Sequence, residues 1–96
     1  MSKKSGKRND SMVFVGHRPT MNYVMACLMV LNEDKECTVK ARGRAISHAV
    51  DVVEILRNRF AKGAQIKDIR IATEVLESSE GRPSKVSSIE IVVSPE

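Results

Sequence analysis

Ile69, Ile71, Thr73 and Val75 alternate with more polar side chains, and Ile89, Ile91 and Val93 alternate again after a stretch carrying Gly81 and Pro83. A side-chain period of two on both sides of turn residues makes a long antiparallel hairpin, with its polar tip near residues 79–85. Upstream, Cys37, Val39 and Ala41 alternate with Thr38, Lys40 and Arg42, a strand with one wet and basic face. Met12, Val13, Phe14 and Val15 form a short apolar run closed by Gly16, which reads as a buried strand. Between these two strands Pro19 suits a first helical turn, and Met21, Val24, Met25, Leu28 and Leu31 recur at helical spacing up to Asn32. Two strands joined through a helix run parallel. A second helix is expected over residues 44–60, with Ile46, Ala49, Val50, Val53 and Leu56 as its apolar stripe and Gly63 beyond its end. The order is βαβαββ, a two-layer α/β (α+β) domain in which a mixed four-stranded sheet packs on two helices. Ala26, Cys27, Met29 and Val30 make the first helix apolar almost all round, which requires deep burial or a second cover from a partner subunit.

A chain of 96 residues has room for one such domain. Its net charge of +4 and pI of about 9.3 favour polyanionic partners. The charge is unevenly spread. Lys3, Lys4, Lys7 and Arg8 stand against Asp10 alone in residues 1–11, a basic segment without apolar residues after Met1 that is expected to be a flexible tail, with the domain filling 12–96. Residues 12–96 hold twelve basic and eleven acidic side chains, so a binding surface there must come from clustering in space. No apolar run is long enough to span a bilayer and the polar start is unlike a secretory signal, which predicts a cytoplasmic protein with no membrane partner. Cys27 and Cys37 lack any CxxC pairing and read as small buried hydrophobes with reduced thiols. With His17 and His48 they show no metal-ligand spacing, and neither a metal nor a cofactor is expected.

The densest constellation lies in residues 40–60. Lys40, Arg42 and Arg44 fall where the second strand passes into the second helix, no acid stands among them, and the helix start also favours phosphate. Arg82 and Lys85 at the hairpin tip fit a basic arm equally well as a hairpin that merely projects into solvent, and Glu77 and Glu80 temper their charge. Catalysis is not expected. Ser47 and His48 are neighbours on a helix and point about 100° apart, so they make a poor nucleophile and base. Asp51 and Glu54 have ordinary helical partners in reach, and no phosphate loop or triad is present. Phe14, Tyr23 and Phe60 are the aromatics, the first two in core-like positions, which disfavours base stacking and leaves recognition of backbone and shape.

The runs VFVGHRPTMNYVMACLMVLN, VKARGRAISHAVDVVEILRNRF and EGRPSKVSSIEIVV closely resemble the corresponding parts of Alba proteins, a family of archaeal chromatin and RNA-binding proteins. The resemblance covers nearly everything from residue 12 onward. It implies a fold like the C-terminal domain of translation initiation factor three, with strand order 1-2-4-3. It also implies an architectural, chromosome-associated protein that coats and compacts double-stranded DNA without marked sequence specificity and binds RNA, as a homodimer or a heterodimer with a paralogue. Arg42 and Arg44, with Arg82 and Lys85 on the arm, match binding positions, and Phe60 matches an aromatic at contacts between dimers, a surface that Leu56 one turn earlier would share. Two adjacent lysines common in the family are His17 and Arg18 here; the resemblance makes their loop face the nucleic acid and both of them candidate contacts, and neither is an acetyl-lysine acceptor. The other readings are an RNA-binding protein or subunit of an RNA-processing complex, and a protein-interaction scaffold.

Overall fold

In the computed structural model, which describes residues 11–78 and 80–95, the elements follow the expected order. Strand β1 (Met12–Phe14) leads to helix α1 (Thr20–Asn32), and β2 (Cys37–Arg42) leads to α2 (Ile46–Ile55). The long strands β3 (Gln65–Glu77) and β4 (Pro83–Ser94) complete one sheet in the order β1-β2-β4-β3. β1 is parallel to β2, and the other pairs are antiparallel. Except for Ser11, the expected basic tail lies outside the described residues; the Ser11 carbonyl accepts a hydrogen bond from the Thr38 N–H, which ties that residue to the sheet.

Helix α1 begins directly after Pro19, whose missing N–H costs nothing at that position. It ends where Asp34 takes a positive φ of 64° and the N–H groups of Glu33 and Asp34 return to the carbonyls of Val30 and Leu31. The second helical segment is less regular than its periodicity predicts. A 3-10 turn (Gly43–Ala45) precedes α2, and a π turn (Leu56–Phe60) follows it, closed by the Ala61 N–H on the Leu56 carbonyl at 2.8 Å.

The core lies between the helices and β1, β2 and β4. Val24 and Cys27 of α1, Val52, Val53 and Leu56 of the second helical segment, and Val39 and Val93 of the sheet are fully buried there. Each such aliphatic side chain contributes roughly 1.5–3 kcal/mol through burial. Both cysteines are buried as expected; a hydrogen bond to Cys37, together with burial, pushes the Cys27 thiol far up, which keeps it protonated.

Several expected core positions face outward. Val50 is exposed and Val52 is buried in its place. Positions 49, 53 and 56 are flanked at helical spacing by both, and the sheet lies on the Val52 side. On α1 the Met21, Met25 and Met29 row is exposed, because Tyr23, Val24, Cys27, Val30 and Leu31 form the face that meets the sheet. Phe14, expected in the core, is 60% exposed. Its neighbours Val13 and Val15 point inward, so the strand period sends Phe14 to the sheet face away from the helices, in register with Lys40. No helix among the described residues is long and apolar enough to cross a membrane.

Candidate nucleic-acid interface

Because β1 and β2 are parallel, the segments that follow them leave the same edge of the sheet. One is the loop of Gly16, His17, Arg18 and Pro19, and the other is the 3-10 turn at Gly43–Ala45. Gly43 makes that turn with φ of +60°, a conformation that side chains with a Cβ disfavour. The hairpin passes the same edge. Arg42, the last residue of β2, pairs with Ser88, which pairs with Ala72; from there β3 and β4 continue through five further pairs to Glu77 and Pro83. At about 3.4 Å per residue the ribbon extends roughly 17 Å beyond the end of β2. Its tip is closed by Ser78, whose N–H donates to the Arg82 carbonyl and whose carbonyl accepts from the Gly81 N–H. Gly81 has φ of +82°.

His17, Arg18, Arg44, Arg82 and Lys85 are therefore carried on three projections from one edge, and all are exposed. Among the described residues none of the five lies within ion-pair distance of a carboxylate. Glu77 and Glu80 are exposed near the hairpin tip.

Lys40 differs from the expectation of a basic cluster without acids. Its Nζ lies 3.4 Å from Glu90 and 3.6 Å from Glu74 on the open sheet face, and the Nε of Arg42 lies 3.5 Å from Glu74. The acids arrive from β4 and β3, since Lys40 pairs across the sheet with Glu90. The charge of Lys40 is largely compensated within the sheet, whereas Arg42 contacts Glu74 through Nε with half of its side chain exposed. Arg57 is likewise engaged, donating from Nη1 to Glu54 at 2.7 Å, while Arg59 is exposed.

Leu56 does not share the surface of Phe60. It is fully buried beneath the helix, whereas Phe60, the last residue of the π turn, is 43% exposed. The surface expected for these two residues is left with Phe60.

Three residues outside the basic set shape the first loop. The Tyr23 hydroxyl accepts hydrogen bonds from the N–H groups of Gly16 and Arg18 at 2.9 and 3.0 Å. His48 of α2 lies 3.0 Å through Nδ1 from the Gly16 carbonyl and 2.9 Å through Nε2 from the Thr20 hydroxyl. The Tyr23 and His48 rings meet edge to face with centroids 5.6 Å apart. Sequence spacing pairs His48 with Ser47 or Asp51 on its own helix, and nothing in that spacing signals a loop about thirty residues upstream.

The Alba family model matches residues 12–73. The chain is 53% identical over 83 residues to the DNA/RNA-binding protein Alba of Methanocella arvoryzae, covering 85% of this chain and 86% of that protein. Its fold superposes on Alba from Thermoplasma volcanium with a TM-score of 0.81 at 48% identity, over 86% of this chain and 98% of that one. ALBA1 from Trypanosoma brucei is similar with a TM-score of 0.72 at 32% identity, over 88% of this chain and 68% of that chain.

Proposed function

The chain belongs to the Alba family, and on that premise we propose that it is an architectural nucleic-acid-binding protein, not an enzyme, that coats double-stranded DNA with little sequence preference and also binds RNA, as a dimer. The observation that carries this reading is the placement of His17, Arg18, Arg44, Arg82 and Lys85 on one edge, clear of carboxylate partners, while the acidic groups of the open sheet face engage Lys40 and Arg42. Such side chains reach phosphates, and a ribbon of this length suits a groove. Bases are not read, so affinity comes from counterion release. The protein would act in the cytoplasm on the chromosome, compacting it.

A dimer is supported by β3. Ile69 and Ile71 pair with Ile91 and Ile89, whose side chains join the core, so they lie on the helix side of the sheet. The helices cover β1, β2 and β4 and leave this strip of β3 bare. Ile71 is 79% exposed and lines a shallow groove with Ile46, Thr73 and Ile89, and Val50 lies one helical turn beyond Ile46. A second copy of the chain, applying the same strip about a two-fold axis, would cover it.

Parallel salt titrations with duplex DNA, duplex RNA and single strands test the function. The expected result is a steep linear fall of log affinity with log salt for duplex DNA and little change between sequences. Absence of binding at low salt would leave the scaffold reading in its place. Affinity for RNA well above that for DNA would make RNA the main target.

Phe60 bears on how dimers associate along DNA. Its partial exposure limits the stability lost in Phe60→Ala to about 1 kcal/mol, well short of the roughly 3–5 kcal/mol of an emptied core site. Cooperativity on long duplexes should fall in the same variant. A melting temperature lowered as by a core cavity, with cooperativity intact, would assign Phe60 to the fold instead.

A further inference from the structure

We propose that His48 is a positioning residue for nucleic-acid binding: it staples the loop bearing His17 and Arg18 to the segment bearing Arg42 and Arg44, and so fixes the spacing of two phosphate-contacting clusters. The inference rests on the reading of that loop as a contact.

A carbonyl oxygen only accepts, so the bond to Gly16 places a proton on Nδ1 of His48. In the neutral ring Nε2 is then an acceptor, and the Thr20 hydroxyl donates to it. The two bonds grip the loop at both ends, before His17 and after Pro19. Tyr23 holds the backbone between them, taking the N–H groups on either side of His17. With its main chain engaged in this way, the loop directs the side chains of His17 and Arg18 outward, where both are exposed. Tyr23 belongs to α1, into which the loop runs, so its bonds order the loop locally. His48 belongs to α2 and lies one turn after Arg44. Its bonds join the loop to the other basic segment.

A loop held in its binding geometry loses less conformational entropy when it meets phosphate. Removing the staple therefore weakens binding without removing any cation from the surface. The effect has a ceiling. It cannot exceed what the loop's own contacts supply, roughly tenfold near 0.1 M salt for each phosphate that the loop meets in each copy of the chain.

The test is a double-mutant cycle between His48→Ala and Arg18→Ala, read as affinity for one DNA duplex and as hydrogen exchange at the Gly16 and Arg18 amides. His48→Ala should weaken binding roughly three- to tenfold, within the bound set above, and speed exchange at both amides. In the Arg18→Ala background it should add less than about twofold, because the loop's arginine is gone and only His17 is left for it to position. His48→Asn, whose side-chain amide can still donate to Gly16, should recover much of the loss. Thr20→Val, which keeps the imidazole and removes only the hydroxyl, is the milder variant should His48→Ala fail to fold, and it should act in the same direction. Equal losses from His48→Ala in both backgrounds, or no recovery with Asn, would overturn the proposal while leaving the loop a contact. An Arg18→Ala protein that binds as well as the parent would overturn both.

Discussion

Ile71→Glu is expected to turn the proposed dimer into a folded monomer. In the isolated chain Ile71 is 79% exposed on β3, so its replacement should shift monomer stability by no more than about 0.5 kcal/mol. In a two-fold interface the same substitution acts twice. Each copy forgoes roughly 1.5–3 kcal/mol of apolar burial and places a carboxylate against an aliphatic strip lined by Ile46, Ile69 and Ile89. The combined cost exceeds about 5 kcal/mol, which raises the dimer dissociation constant by more than a thousandfold. Sedimentation at micromolar concentration should find a monomer with the parent's circular dichroism, and the salt dependence of DNA binding should be about halved because each particle carries half the cations. Met25→Glu, on the exposed face of α1, is the control and should leave the dimer intact. The opposite outcome, a monomer from Met25→Glu and a dimer from Ile71→Glu, would move the interface to the methionine row.

Arg82→Ala combined with Lys85→Ala should weaken binding to every duplex by roughly a thousandfold near 0.1 M salt. Both residues lie at the outer end of the ribbon, past the last pairing partner of β2, and neither has a carboxylate partner among the described residues. A dimer loses four cations in this variant. If all four meet phosphate, each contributes about 0.9 to the slope of log affinity against log salt, so the slope should flatten by up to about 3.6. The fold should be unaffected, since both side chains are exposed and the turn is closed by Ser78 and Gly81 through the main chain. Equal weakening across sequences would mark the contacts as phosphate contacts, whereas an unchanged slope would remove the ribbon from the interface. Lys40→Ala is the internal comparison. Its charge is compensated by Glu74 and Glu90, so the slope should change little.

Periodicity and turn residues determine the order of elements, the long hairpin and the helix between parallel strands. Those signals are local: a side-chain period of two or 3.6 shows within a few residues which positions share a face. Lys40, Arg42 and Arg44, and Arg82 with Lys85, stand out for the same reason, because they lie close together along the chain, whereas His17 and Arg18 are singled out through the family resemblance alone. The burial of Cys27 and Cys37 follows from their places in apolar patterns.

Only the tertiary structure decided which face meets which neighbour. Val50 and Val52 fit the helix stripe equally well until the sheet selects Val52, and Phe14 belongs to an apolar run yet stands on the open face. Leu56 and Phe60 share helical spacing, but one lies beneath the helix over the core and the other ends the π turn in solvent. Lys40 reads as a free cation until strand register brings Glu90 opposite it and Glu74 within reach, and His48 has no visible purpose until helix packing carries it to Gly16 and Thr20. A periodic pattern fixes the faces of an element, whereas the groups beside each face are set by register and packing between segments far apart in the chain, and those are minimised over the whole fold.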